Sequence, residues 1–224
     1  MQTEDYLKIL VEEIHSTVVA TLDKNGRPVT RCIDMMLYDK NTVYFLTAKG
    51  KNFYAELMEQ KYISLSAIKN KLCISLSGSI ENIGKEKLDE IFEKNSYMKK
   101  IYPGNTREAL EVFKFTNAQG NFFDISNPSH VTRGFFMLGK TNSNEQNFNF
   151  KKINSGYFVQ GEKCIGCKKC LSVCPQKCIG FSKSENTEMG NKTKILKAKI
   201  NQNCCLHCGR CFDICPTKAI KNLA

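Results

Sequence analysis

The chain has 224 residues and a mass of 25.4 kDa, with 42% hydrophobic and 25% charged residues, proportions of a globular protein that exclude a disordered or fibrous chain. No apolar run approaches the ~20 residues that span a bilayer, and residues 1–20 carry Glu4, Asp5, Glu12 and Glu13 instead of a basic leader and an apolar stretch, so a cytoplasmic protein with no membrane partner is expected. The charge of +11 is lopsided: residues 1–150 hold 19 Lys and Arg against 18 Asp and Glu, whereas residues 151–224 hold 14 against 4.

The twelve cysteines divide in the same way, Cys32 and Cys73 in the first part and ten in the second. So many thiols in a reducing compartment imply a metal. Composition therefore predicts two domains, residues 1–140 and 156–224, joined by a polar linker at 141–155, TNSNEQNFNFKKINS. The leading part is long enough to bury a core of its own, but a tail of ~70 residues needs a metal or a covalent staple.

In chain order, the sequence predicts an amphipathic helix over 3–14, then strands over 18–22 and 29–37 around the Asn25-Gly26 dipeptide, a hairpin signal because both residues tolerate positive φ. A turn over 38–42 leads to a strand over 43–47, a helix over 52–60, and strands over 63–68 and 73–80. A helical segment over 85–94, a turn at Tyr102-Pro103-Gly104 and a short helix over 106–111 precede closing strands over 112–116, 122–125 and 131–138. Six or more short antiparallel strands with few helices predict a barrel, so the fold class is β-rich α+β.

This order of segments resembles the split-barrel flavoproteins of the pyridoxamine-phosphate-oxidase-like superfamily over roughly residues 1–138. The matching motifs are Gly26-Arg27-Pro28 leading into Val29-Thr30-Arg31-Cys32-Ile33, then VYFLTAKGK over 43–51, then Ile74-Ser75-Leu76-Ser77-Gly78. The resemblance implies an FMN-binding split β-barrel, a homodimer with flavin sites at the subunit interface, and a set of FMN contacts. Arg31, Cys32, Ile33 and Asp34 would line the ring and ribityl chain, with Thr47, Ala48 and Lys49 beside them, while Lys51 and Asn52 would hold the phosphate at the opening of the next helix, where free N–H groups and the dipole favour an anion. Relatives often carry a second basic residue at the position of Asn52 or Phe53, and this chain does not. Taken singly, Lys49 and Lys51 read as solvated loop cations, Arg31 as a strand-edge charge paired with an acid, and Cys73 as core packing. His15 and His130 have no ligand or triad partner nearby in sequence, and no residue is assigned as catalytic.

The tail repeats itself. Shifted by 41 residues, Cys164, Cys167, Cys170, Cys174 and Pro175 fall on Cys205, Cys208, Cys211, Cys215 and Pro216, and both copies read C-x-x-C-x-x-C-x-x-x-C-P. This is the spacing of bacterial ferredoxins that hold two [4Fe-4S] clusters. That resemblance implies a small ferredoxin-like two-cluster domain in which Cys164, Cys167, Cys170 and Cys215 hold one cluster and Cys205, Cys208, Cys211 and Cys174 the other. Structural zinc prefers two C-x-x-C knuckles a dozen or more residues apart, and a disulfide framework lacks its secretory context. Cys178 aligns with Ala219 and Cys204 with Lys163, so neither is expected to be a ligand; Cys178 reads as a small buried residue near a cluster, and His207 as a solvated loop residue.

The basic tail raises nucleic acid as a partner, but two loaded clusters with their eight thiolates contribute roughly −4, and no DNA- or RNA-binding motif is present. Steering of an acidic redox protein fits better. There is no Walker loop and no G-x-G-x-x-G after a strand, so no dedicated nicotinamide-nucleotide domain is expected. The expected activity is that of an iron-sulfur flavoprotein oxidoreductase passing single electrons from a ferredoxin-like donor through two [4Fe-4S] clusters to FMN, which reduces a small-molecule acceptor. A non-catalytic flavin-binding, heme-binding or redox-sensing protein and a pyridoxamine-phosphate-oxidase-like enzyme are the alternatives.

Overall fold

The computed structural model describes residues 1–139, 156–188 and 191–223, with side chains of 184–195 and 223 left out of the description. The predicted linker, 141–155, lies outside the described residues. The chain divides into two compact units: the first contains residues 1–123 and 134–139, the second 124–133 and 156–223.

The first unit opens with α1 (Thr3–Lys8), whose start is fixed by the Asp5 carboxylate accepting the Gln2 N–H at 2.7 Å. A single helix over 3–14 was expected; its second half, Ile9–Ile14, winds as a π-helix and ends where His15 takes a positive φ of 69°. Strands β1 (Ser16–Leu22) and β2 (Pro28–Asp34) form the expected hairpin, with Gly26 at φ 74° and its N–H on the Asp23 carbonyl. The predicted strand over 29–37 breaks after Asp34, and β3 (Leu37–Asp39) pairs with β4 (Thr42–Ala48). Between the two, Met35 N–H reaches the His15 carbonyl and Met36 N–H the Tyr44 carbonyl, so backbone bonds made in two directions require the break.

Helix α2 (Asn52–Gln60) ends as Lys61 turns left-handed, and β5 (Tyr62–Lys69) and β6 (Leu72–Gly84) follow as a hairpin closed by Asn70 and Lys71, both at positive φ as a two-residue turn requires. After α3 (Leu88–Lys94), α4 (Met98–Ile101) and a 3₁₀ turn over Gly104–Ala109, the two strands expected over 112–116 and 122–125 prove to be one long strand, β7 (Leu110–Asp124); β8 (Thr132–Leu138) pairs with it. The sheet runs β2-β1-β5-β6-β7-β4-β3. Alternation places Ile63, Leu65, Ile74, Leu76, Phe113 and Phe115 inward, around a core that includes Phe45, stacked 5.6 Å from Phe113. Gly78 is required where β6 and β7 approach: a Cβ there would lie 2.2 Å from the Asn117 carbonyl oxygen.

The second unit carries the repeat into three dimensions. Strand β9 (Gly156–Val159) pairs with β12 (Ile220–Leu223), and β10 (Ile179–Glu188) with β11 (Asn191–Ile200). Helical turns α5 (Lys169–Ser172) and α6 (Arg210–Asp213) occupy equivalent places, each beginning one residue before the third cysteine of its run. Positive φ recurs at Gly166 and His207, at Lys168 and Gly209, and at Lys177 and Lys218, each pair 41 residues apart. Residues 124–133 are grouped with this unit: the buried Gln176 amide accepts the Val131 N–H at 2.9 Å and donates to the Pro128 carbonyl at 3.0 Å. Among the described residues no helix is long and apolar enough to cross a membrane.

Candidate functional site

Each cysteine run bends around its own cavity because left-handed residues inside the run turn successive side chains inward. One cavity is lined by Cys164, Cys167, Cys170 and Cys215; the other by Cys205, Cys208, Cys211 and Cys174, with Cys178 also in its wall. Three cysteines in each wall come from one run and a fourth from the other. Backbone N–H groups are aimed at the sulfurs: Ala198 to Cys164 (3.4 Å), His207 to Cys205 (3.4 Å), Cys178 to Cys174 (3.3 Å) and Ala219 to Cys215 (3.3 Å). The last two are again 41 residues apart. Such donors favour charge-rich sulfur. Among the described residues, no group of three or more His, Cys, Asp or Glu side chains is close enough to hold a single ion. Four sulfurs lining one cavity, three from one run and one from the other, suit a cube with a ligand at each of four corners.

The remaining cysteines of this unit are also buried. Cys178 lies 3.3 Å from Cys174 sulfur to sulfur, and burial, with the contact to Cys174 second, pushes its thiol well above the ordinary value. Cys204 points its thiol at the Asn201 carbonyl, 3.7 Å away. His207 is half-buried, not the solvated residue expected: burial first, and the charge of Arg133 second, lower its pKa. No local pattern signals this, because the groups around it come from distant positions.

In the barrel, Thr47 and Ala48 end β4, and Lys49, Lys51 and Asn52 follow through the tight Ala48–Lys51 turn into α2, with Lys51 as its N-cap. Thr47 is 2% exposed and its Oγ1 has no hydrogen-bond partner, a buried hydroxyl that a ligand's polar atom would satisfy. Arg31 is brought to the first turn of α2, its guanidinium 4.5 Å above the Phe53 ring, 2.6 Å from Glu56 and 2.8 Å from Thr21. Phe53, at a position where relatives often carry a second cation, stacks under Arg31 instead. Lys49 is paired with Glu111 at 2.6 Å, and Glu111 also accepts from Tyr54 and Asn82 (both 2.6 Å), so its carboxyl is held down to about 2, the Lys49 contact leading. Glu56 and Glu111 were not singled out in the sequence; Glu56 sits one turn beyond Phe53 on the same helix and could have been.

On β2, Cys32 is exposed, while Ile33 and Asp34 are half-buried. The Asp34 carboxylate accepts from Ser16 (2.6 Å) and from the Tyr97 hydroxyl (2.8 Å). His15 Nε2 lies 2.9 Å from that hydroxyl, and its Nδ1 donates to the Val11 carbonyl at 3.1 Å. His15 is thus bound into a network the sequence did not reveal, since Tyr97 is 82 positions away. Cys73 is half-buried on β6.

These features define a two-part protein: a split-barrel unit and a unit with twin cysteine cages. A family model described as pyridoxamine 5'-phosphate oxidase matches residues 3–124, and one described as a 4Fe-4S dicluster domain matches residues 163–219. The chain belongs to the pyridoxamine 5'-phosphate oxidase family and carries an iron-sulfur ferredoxin domain behind it. No curated protein matches. Among solved structures, a nimC/nimA family protein from Clostridium acetobutylicum is similar at 17% identity, covering 62% of this chain and 95% of that one, with a TM-score of 0.52, which supports the fold. A protein related to general stress protein 26 from the same organism (20% identity, 59% and 92% covered, TM-score 0.47) and a pyridoxamine 5'-phosphate oxidase-related, FMN-binding protein from Nostoc punctiforme PCC 73102 (14%, 59% and 87%, TM-score 0.42) are also similar.

Proposed function

We propose that the chain is an iron-sulfur flavoprotein oxidoreductase of the cytoplasm, taking single electrons from a ferredoxin-like protein and delivering them to a small-molecule acceptor. The observation that carries this reading is the cross-lining of the two cavities, three cysteines from one run and the fourth from the other. Cys164, Cys167, Cys170 and Cys215 hold one [4Fe-4S] cluster; Cys205, Cys208, Cys211 and Cys174 hold a second. When bound, the cubes pass electrons singly and FMN collects them for a two-electron reduction.

The chain's own residues do the holding and steering. Backbone amides of Ala198, His207, Cys178 and Ala219 support the ligand sulfurs. Lys168 and Lys169, in the wall of the first cavity, together with the tail's surplus of cations, attract an acidic donor. In the barrel, the amino end of α2 with Lys51 and Asn52 receives the FMN phosphate, Thr47 supplies its unpartnered hydroxyl, and the strand Arg31, Cys32, Ile33 and Asp34 lines the ring and ribityl chain beside Ala48 and Lys49. Arg31 and Lys49, each neutralised by a carboxylate, shape the site more than they bind the phosphate. Exposed Val18 and Leu22 on β1 and Ile68 on β5 give the barrel an apolar outer face suited to a second copy, in keeping with a homodimer.

Anaerobic purification followed by iron, sulfide and flavin quantitation tests the proposal. About eight irons and one FMN per chain are expected, together with bleaching of the flavin after the clusters are reduced by a low-potential ferredoxin. Zinc in place of iron, or clusters that stay reduced beside an oxidised flavin, would overturn it.

A further inference from the structure

The two cysteine cages are not equivalent, and the repeat itself locates the difference. Position 178 in the first half corresponds to position 219 in the second, where Cys178 faces Ala219 across the pseudo-symmetry. Both backbone N–H groups make the same bond, 3.3 Å to the sulfur four residues earlier. Only Cys178 adds a side-chain donor of its own at that position, its sulfur 3.3 Å from that of Cys174.

In the loaded protein Cys174 is a thiolate ligand without a proton, so the proton shared by these two sulfurs belongs to Cys178. Cys204, the other non-ligand thiol nearby, points its own S–H at the Asn201 carbonyl, 3.7 Å away, and is also a hydrogen-bond neighbour of Cys178. The nearest counterpart in the other cage is the Thr217 hydroxyl, 3.8 Å from Cys215. Thr217 is half-buried and less enclosed than Cys178, which is 7% exposed, so water has more access to the Thr217 hydroxyl. The residue equivalent to Thr217 in the first half, Gln176, has its amide committed to Val131 and Pro128 and reaches no sulfur. Hydrogen bonds to cluster sulfurs stabilise the extra negative charge of the reduced state and raise the potential.

We propose that Cys178, by donating its S–H to Cys174, raises the reduction potential of the cluster held by Cys205, Cys208, Cys211 and Cys174 above that of its partner, so that an electron entering the unit comes to rest there. This rests on the two-cluster reading above. The electron count is unaffected: one electron leaves the donor protein, one cluster gains it, and Cys178 keeps its proton throughout.

The test is a redox titration of the full-length protein followed by electron paramagnetic resonance. Two separate reduction steps are expected. Cys178→Ala should lower the higher step by about a tenfold change in electron partition, ~59 mV for one electron, and leave the lower step in place. Cys178→Ser, which keeps a donor, should hold the higher step near its original position. Ala219→Cys should raise the lower step, and it carries the test if Cys178→Ala fails to load iron. Potentials indifferent to both Cys178→Ala and Ala219→Cys at full iron content would overturn the inference alone. Unaltered protein that lacks two clusters would instead remove the reading on which it rests.

Discussion

The barrel and the cysteine unit are held together by different chemistry. The barrel's main core is built of Phe, Leu, Ile and Val, with Phe45, Phe113, Phe115, Leu7 and Ile63 almost wholly buried. Among the described residues of the second unit, five of the nine buried ones that form the core are cysteines, Cys170, Cys178, Cys204, Cys205 and Cys211. Apolar burial stabilises the first at about 25 cal/mol per Å² whether or not a cofactor is present. The second has little such area, and the metal-sulfur bonds must supply what the side chains do not. Stability and cofactor content are therefore one quantity in the tail and two in the barrel.

The largest effect expected from this contrast is on the tail. Removing iron with a chelator under anaerobic conditions should abolish hydrogen-exchange protection of the β10–β11 hairpin while leaving β5, β6 and β7 protected. Cys215→Ala should remove roughly half the iron and soften the same hairpin, because its partner ligands Cys164, Cys167 and Cys170 lose their fourth corner. Equal loss of protection in barrel and tail would break the comparison.

A barrel substitution should show the reverse pattern. Gly78→Val places methyl groups where a Cβ alone already meets Asn117 and Ala118 closer than 3 Å, so β6 and β7 must move apart. Overpacking of this kind costs roughly 1–3 kcal/mol. The urea midpoint of the barrel should fall, with iron content unchanged.

A smaller effect follows from Glu111, whose carboxyl is lowered from 4.5 to about 2 chiefly by Lys49, then by Tyr54 and Asn82. A lowered value in the folded state adds stability that is complete above about 4.5 and is lost as pH falls toward 2. Barrel melting temperature should therefore decline over that window, and Glu111→Gln should flatten the decline. An unchanged slope in the variant would assign the acid sensitivity to other carboxylates.

What could be read from the sequence follows from how far apart partners lie along the chain. The cysteine cages were legible because the C-x-x-C-x-x-C spacing and the 41-residue offset are local patterns, and the same offset reappears in the left-handed residues and helical turns. Helix 52–60 and the Asn25-Gly26 hairpin were legible for the same reason. The break after Asp34 was not, because it depends on Met35 bonding back to His15 while Met36 turns to Tyr44 on β4. Nor was the single long β7, whose polar stretch Thr116-Asn117 resembles a turn until β6 and β8 are seen beside it. The carboxylates that neutralise Arg31 and Lys49 lie 25 and 62 positions away, beyond any short-range pattern.

That neutralisation separates two lysines that the sequence could not tell apart. Lys49 pairs with Glu111, while Lys51 stands at the N-cap of α2 and, among the described residues, forms no ion pair. A cation at a helix amino end facing a phosphate contributes about 1 kcal/mol or somewhat more when partly desolvated. Lys51→Ala should therefore weaken FMN binding by roughly three- to tenfold, with iron content and barrel melting of the flavin-free protein unchanged. Lys49→Ala should weaken FMN less, yet lower apo-barrel stability, because it strips Glu111 of its first partner. Fluorescence titration of the flavin-free protein separates the two outcomes. If Lys49→Ala loosens FMN more than Lys51→Ala does, the phosphate is held at the strand end and not at the start of α2.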